Sequence, residues 1–417
     1  MEGKTTVCIL CMILLTAFGK NKAVFANTET GMDSAKGCGL SVRGRMVEEG
    51  KDCMYAVRDG FSLARALYGG MGGEENDHDI YCLKDGKWEL FVSHPPESVN
   101  NREITHHSYH DRTYVSNLVY HDGFLYYSLL YEKNYGEGEP LYKPQYIYRA
   151  PEQGGEPEEL ALCHSTFHIY NGKIYYRTAG EPEGEECRWE ELYWEMEPDG
   201  SGRRVVYCRK SDRVSYYASR LFTVGDECLY AGHEEDGGIK ITKVSLKTGD
   251  LSFFTAGNNV ESLYYENGYL YLYAGDTDGD HKKKVERISM VSGVGECVAG
   301  GLGTGDGVWM ENGYLYYTKR EVLAESKGEV YCLNMINVDT GQRLTEDMGG
   351  AAGNRYTTYL AEVGGEILCE TRKYQQGEEN GEEIKRVKYT AGTLDMEKEV
   401  RKRCHEADLL GTVGGES

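Results

Sequence analysis

The chain has 417 residues, a formal net charge of −22, 53 glycines, 8 prolines, and 34 tyrosines against 9 phenylalanines. So acidic a chain excludes nucleic-acid binding through a basic face, because phosphate neutralisation needs clustered Lys and Arg, and it argues against docking on anionic lipid. With 40% hydrophobic residues it can bury a core, and its length fits several domains or one large all-β unit.

The first 26 residues read as a cleavable export signal. Lys4 supplies the positive start, residues 7–18 (VCILCMILLTAF) form a twelve-residue apolar run, and residues 24–26 (VFA) offer a cleavage end. Twelve helical residues span about 18 Å, short of a ~30 Å hydrocarbon core, so a retained membrane helix is the weaker reading. The expected mature chain starts at Asn27, is secreted or held at the cell envelope, and has no further segment that could span a membrane. Removing the signal leaves eleven of thirteen cysteines, an odd number without a disulfide framework. Cys82, Cys228, Cys332 and Cys369 lie in apolar strand-like runs, where Cys behaves as a small hydrophobe. One or two disulfides stay open on spacing alone.

A repeat then runs through the chain. A turn pair followed by a Tyr-rich alternating strand recurs as HDGFLYYS (121–128), YNGKIYYR (170–177), VGDECLYA (224–231), ENGYLYLY (266–273), ENGYLYYT (311–318) and VGGEILCE (363–370), with a degenerate first copy at 49–57. Taking Gly123, Gly172, Asp226, Gly268, Gly313 and Gly365 as marks, the copies stand 42 to 54 residues apart. Asn-Gly and Asp-Gly accept the positive φ angles of a type I′ hairpin turn, and Tyr, Leu and Ile suit a pleated, half-buried surface. A second hairpin follows each phrase, for example YIYRAPEQGGEPEEL (146–160) and IKITKVSLKTGDLSFF (239–254). Two hairpins every 40–50 residues predict four-stranded antiparallel propeller blades. The fold expected is therefore all-β, a single propeller over 46–400, seven-bladed by the number of copies, with six or eight blades open. Residues 63–68 read as a short helix, 93–111 as an insertion between the first two blades, and 27–45 and 401–417 as flanking segments, either of which could donate the ring-closing strand.

The alternation of NGxLYY with LYR or LYW, a turn and a return strand resembles the prolow-density lipoprotein receptor-related-like β-propeller domain, over roughly 46–400. The receptor branch carries Tyr-Trp-Thr-Asp in each blade; here Tyr193-Trp194 is followed by Glu195 and Met196. The resemblance implies a propeller and an exported bacterial setting, and brings no catalytic residues to transfer.

Candidate sites follow from residue type and spacing. Asp276, Asp278 and Asp280 place carboxylates at alternate positions, as Ca²⁺ loops do, but Gly279 comes one place early and Arg287 stands where a Glu would close the loop. A solvated acidic hairpin is the preferred reading, with Ca²⁺ as the alternative. His94, His106, His107, His110 and His121 could offer imidazoles to Zn²⁺ or Cu²⁺; a His-rich surface loop is preferred. Residues 300–307 (GGLGTGDG) look like a phosphate loop, yet Val308 and Trp309 begin a strand and no helix N-terminus follows, so a connector is expected. Tyr126-Tyr127, Tyr175-Tyr176 and Tyr316-Tyr317 should alternate between strand faces, packing a core or offering rings to sugars. His233-Glu234-Glu235 reads as a loop. No hydrolase serine motif or zinc-protease motif is present, so no cofactor and no catalytic residue is assigned. The function expected is a secreted, non-enzymatic, monomeric binding module for a protein or glycan; the alternative is a carbohydrate-active enzyme on a propeller scaffold.

Overall fold

The computed structural model of the chain describes residues 47–57, 78–84, 87–95, 98, 112–132, 145–180, 189–211, 221–235, 238–257, 259–275, 282–302, 308–311, 313–322, 329–350, 355–363, 366–375, 378–390 and 393–402, the last four spans through their backbone alone. The expected signal, the segment 27–45, the helix at 63–68, most of the 93–111 insertion and residues 403–417 lie outside the described residues. Ser93, placed in that insertion from sequence, is the last residue of a strand.

The turn pairs behave as their residues dictate. Asp122 and Gly123 have φ of 49° and 79°, Asn267 and Gly268 have 49° and 81°, and each pair joins two antiparallel strands. Two consecutive positive φ angles are what a type I′ turn needs, and only Gly, Asn and Asp adopt them cheaply. The fourth phrase departs from this. Its turn is Asp226-Glu227, with φ of 50° and 53°, so Glu227 and not Asp226 is the counterpart of Gly123.

The strands pair into seven four-stranded antiparallel sheets, spanning 47–93, 112–163, 168–211, 222–256, 260–302, 308–350 and 355–402. Each sheet takes four consecutive strands, here named a to d. The last strand runs from Thr393 to Lys402, so the first two residues of the segment 401–417 belong to the last sheet. The first strand of the first sheet, β1 (Val47–Glu49), touches the first strand of the last, β25 (Arg355–Val363). The chain is thus an all-β propeller of four-stranded blades. No helix among the described residues is long and apolar enough to cross a membrane.

Apolar layers between successive sheets hold the blades together. Tyr127, Leu125 and Val115 of the second sheet pack on Tyr55, Val57 and Ile80 of the first. Tyr126 and Ile147 pack the other way, on Ile174, Tyr176 and Met196 of the third. Because each inner strand is sandwiched between two neighbours, both members of every Tyr pair are buried, including Tyr175-Tyr176 and Tyr316-Tyr317. Burying such a side chain contributes roughly 1.5–3 kcal/mol, and Tyr230 stacks on Tyr265 across sheets with ring centroids 5.2 Å apart. These pairs are core, and no sugar-stacking surface is made from them.

Antiparallel pairing gives the two faces of the propeller different chemistry. The a–b and c–d connections are tight turns, and they share one face. There they bond across sheets: Glu152, in the c–d turn of the second sheet, accepts from the Lys51 and Asp52 amides at 2.9 and 3.2 Å and from the Tyr120 hydroxyl at 2.7 Å. Tyr170 accepts from the Glu227 amide at 2.9 Å, and Glu266 accepts from the Gly313 amide at 3.2 Å. Arg149 donates to the Pro198 carbonyl of the next blade at 3.0 Å, and Arg287 does the same to the Val338 carbonyl. The b–c and d–a connections leave from the opposite, loop-bearing face.

Candidate binding site

The loop-bearing face collects the chemistry-bearing connections. His94 follows the last strand of the first sheet, Gly275 and Lys283 bound the b–c connection of the fifth, and Leu302 and Val308 bound the connection from the fifth to the sixth. Asp276, Asp278 and Asp280, His106, His107 and His110, and Gly303, Gly305 and Gly307 lie outside the described residues. Of the five clustered histidines, His94 and His121 are described, and the fold separates them. His94 stands at the loop-bearing end and His121 at the opposite end, beside the Asp122-Gly123 turn. His94 is buried, with its Nε2 2.7 Å from the Tyr127 hydroxyl and its carbonyl accepting from Thr113 at 2.5 Å. Burial, with His78 nearby, lowers its pKa to about 4. It is a packed core histidine, not part of a surface loop. Among the described residues no group of three His, Cys, Asp or Glu is placed to hold a metal.

Gly300, Gly301 and Leu302 end a strand and Val308 and Trp309 open the next, as a connector requires. Among the described residues Cys163, Cys208 and Cys228 are free thiols. Burial raises the Cys163 thiol to about 12, so it is inert as a nucleophile.

One constellation at this face was not visible as a motif. Arg177 on β10 (Lys173–Gly180), Glu191 on β11 (Trp189–Met196) and Arg209 on β12 (Arg204–Ser211) point from the third sheet toward the fourth. Strand alternation puts them there: Tyr175 and Tyr193, two residues before Arg177 and two after Glu191, pack on Phe222, Val224 and Leu229 of the fourth sheet. Arg177 Nη1 is 3.3 Å from Glu191 Oε1, and Arg209 Nη2 is 2.8 Å from Glu191 Oε2. Arg177 is 1% exposed, Glu191 0% and Arg209 17%. Arg177 also donates from Nη2 to the His164 carbonyl at 3.3 Å, while its backbone amide donates to Ser165 Oγ at 3.1 Å. The short link between the second and third sheets thereby closes one side of the cluster.

On the facing sheet, His233 and Glu235 lie in β14 (Cys228–Glu235), so the His-Glu-Glu run is the end of a strand and not a loop. Glu235 pairs with Lys240 at 2.8 Å at the solvent edge. His164 and His233 are both held below the ordinary imidazole range, first by burial and then by Arg177 and Arg209 respectively. The sequence signal for this cluster is positional. Five residues after the second turn residue the copies carry Ser128, Arg177, Gly232, Tyr273, Thr318 and Glu370, so a cation stands in one copy where the others place a neutral group or an acid.

No protein-family model matches the chain, and no curated protein matches it. Solved structures do. TolB from Acinetobacter baumannii is similar over 70% of this chain and 81% of that one, with 8% identity and a TM-score of 0.36. The β-propeller domain of the trilobed protease from Pyrococcus furiosus is similar over 70% and 97%, with 12% identity and a TM-score of 0.39. A puromycin-hydrolyzing peptidase from Mycobacterium tuberculosis is similar over 88% of this chain and 54% of that one, with 12% identity and a TM-score of 0.43. At these identities and TM-scores no activity of those proteins follows for this chain.

Proposed function

We propose that this protein is an exported, non-enzymatic recognition module whose loop-bearing face binds a protein or glycan of the cell envelope, as a single copy. The observation that carries this reading is the asymmetry of the two faces. Tight turns bonded across neighbouring sheets lock one face, whereas the longest connections, 58–78, 94–111, 133–144, 181–188 and 212–221, leave from the other, where Arg177 and Glu191 of the third sheet are buried. Function in such scaffolds lives in loops set on a rigid frame. The export step rests on residues 1–26, and kinship to the prolow-density lipoprotein receptor-related-like domain rests on the turn-and-tyrosine phrases. The seven sheets are read as one seven-bladed ring over about 46–402, supported by the contact of β1 with β25. The weak Ca²⁺ candidate at Asp276, Asp278 and Asp280 belongs to a connection on the same face. Amide exchange of residues 27–417, with and without envelope polysaccharides and envelope proteins, tests the reading. Protection at 177–179 and 231–235 without turnover of the ligand supports it; hydrolysis of a bound glycan, or protection confined to the tight turns, overturns it.

A further inference from the structure

The outer strand of the fourth sheet differs from its six counterparts. Sheet edges are ordinarily guarded against added strands by charge, Pro or a bulge. The other outer strands carry charges, among them Glu89, Glu158, Arg204, Glu296, Arg343 and Asp395. Each of those six also pairs with its neighbour through a shift in register. The fourth sheet ends in β16 (Leu251–Ala256, LSFFTA), which has no charge and no Pro and pairs with β15 (Gly238–Ser245) in unbroken register. In the turn joining the two, the Ser245 amide donates to the Asp250 carbonyl at 2.9 Å. Alternation from that bond turns the amides and carbonyls of Ser252, Phe254 and Ala256 toward β15, and those of Leu251, Phe253 and Thr255 outward. The side chains of these last three share the face of Val244, Thr242 and Lys240; Leu251 is 49% exposed and Phe253 54%.

We propose that β16 is a docking edge to which an extended, acidic segment of another protein adds as a fifth strand. The outward amides and carbonyls supply main-chain bonds, and Leu251 and Phe253 receive apolar side chains, the two parts of recognition by strand addition. Charge selects the occupant. Lys240 is matched by Glu235 at 2.8 Å, whereas Lys243, opposite Ser252 on the other face, lies 5.7 Å from the Tyr230 ring centroid and has no carboxylate partner among the described residues. Lys247 stands exposed in the adjoining turn. An added strand lies about 10 Å from β15, so a carboxylate opposite Ser252 comes within reach of the Lys243 side chain. A second copy meets the reverse: paired edges set Lys243 near its own counterpart and bring together two chains of −22 each. This edge is a surface separate from the loop-bearing face, so either reading can fail alone.

The test is fluorescence anisotropy of a labelled Val-Glu-Val-Glu-Val-Glu-Val peptide titrated with the whole chain, beside the same peptide with Lys in place of Glu. Wild type should bind the acidic peptide about tenfold tighter than the basic one. Amide exchange of the complex should slow at Leu251, Phe253 and Thr255. Phe253→Lys, which restores the guard that the other edges carry, should weaken binding about tenfold. Lys243→Glu should reverse the preference between the two peptides. Should Phe253→Lys fail to fold, Thr255→Lys replaces it. No binding of the acidic peptide up to about 1 mM, equal binding of both peptides, or slowed exchange elsewhere in the chain and not at β16 overturns the proposal. An undiminished affinity in Phe253→Lys also overturns it. So does sedimentation showing a dimer that Phe253→Lys abolishes, since that assigns the edge to a second copy.

Discussion

Two ionic rows cross the third sheet, built from the same charges in the same order. Lys173, Glu195 and Arg204 form one at the turn-bearing end; Arg177, Glu191 and Arg209 form the other at the loop-bearing end. The rows are four residues apart on β10 and β11 but five on β12, because a bulge opposite Tyr193 and Trp194 inserts one residue. In the first row Lys173 is 37% exposed and Arg204 58%, flanking a Glu195 that is 3% exposed. Burial pushes the Glu195 carboxyl up, but hydrogen bonds from Arg204 and Lys173 outweigh it and hold the group below its usual range. In the second row both the acid and one base are sealed. In the first row both cations are open to solvent and Glu195 is bonded by both, so that row acts as scaffold. The second holds buried groups without hydrogen bonds on both sides, Nε and Nη1 of Arg177 and Oε1 of Glu191, so its charges depend on each other rather than on solvent.

That contrast is broken most severely by removing Arg177. Arg177→Met leaves Glu191 buried with one cation, and breaking a sealed pair this way costs about 3–5 kcal/mol. Chemical denaturation should show that loss with little dependence on salt.

A buried acid elsewhere sharpens the point. Glu266 accepts from the Gly313 amide between the fifth and sixth sheets, and burial raises its pKa to about 7. A raised carboxyl pKa means that the folded state binds the extra proton, so this group's contribution is complete below the unfolded value near 4.5 and is lost as pH rises to 7. Glu266→Gln should therefore gain on wild type across that window, on the order of 3 kcal/mol by pH 7. Melting curves at pH 5, 6, 7 and 8 check it; a constant offset between the two proteins would contradict it.

Smaller effects are expected at the solvated row. Glu195→Gln should cost about 1–2 kcal/mol, and the loss should shrink in high salt because Lys173 and Arg204 are open to screening. A salt-independent loss there would erase the distinction between the rows. The smallest effect is a gain. Glu227 holds a φ of 53° in a turn whose counterparts carry Gly, so Glu227→Gly should stabilise by about 1 kcal/mol, measurable by denaturant midpoint.

Much of the frame was legible in the sequence. Asn171-Gly172 and Asn267-Gly268 announce their turns because few residues accept two positive φ angles in succession, and KIYY and YLYL announce the strands that follow. The burial of both Tyr127 and Tyr126 was harder to read, since alternation within one strand does not show that a neighbouring sheet covers each side. His233 illustrates the same blindness: a His-Glu-Glu run looks solvated until the strand it ends is seen facing Arg209. The buried ionic cluster had no motif at all. Arg177, Glu191 and Arg209 are 14 and 18 residues apart and meet only through strand register, and the sole trace was an Arg where sister copies have Ser128 and Thr318.

The measurement that tests most directly whether the two ends of the third sheet differ is chemical denaturation of Arg177→Met and Glu195→Gln beside wild type at low and high salt. The account predicts that the loss at Glu195 shrinks as salt rises while the loss at Arg177 stays nearly constant. Losses that fall in parallel for both variants would contradict it.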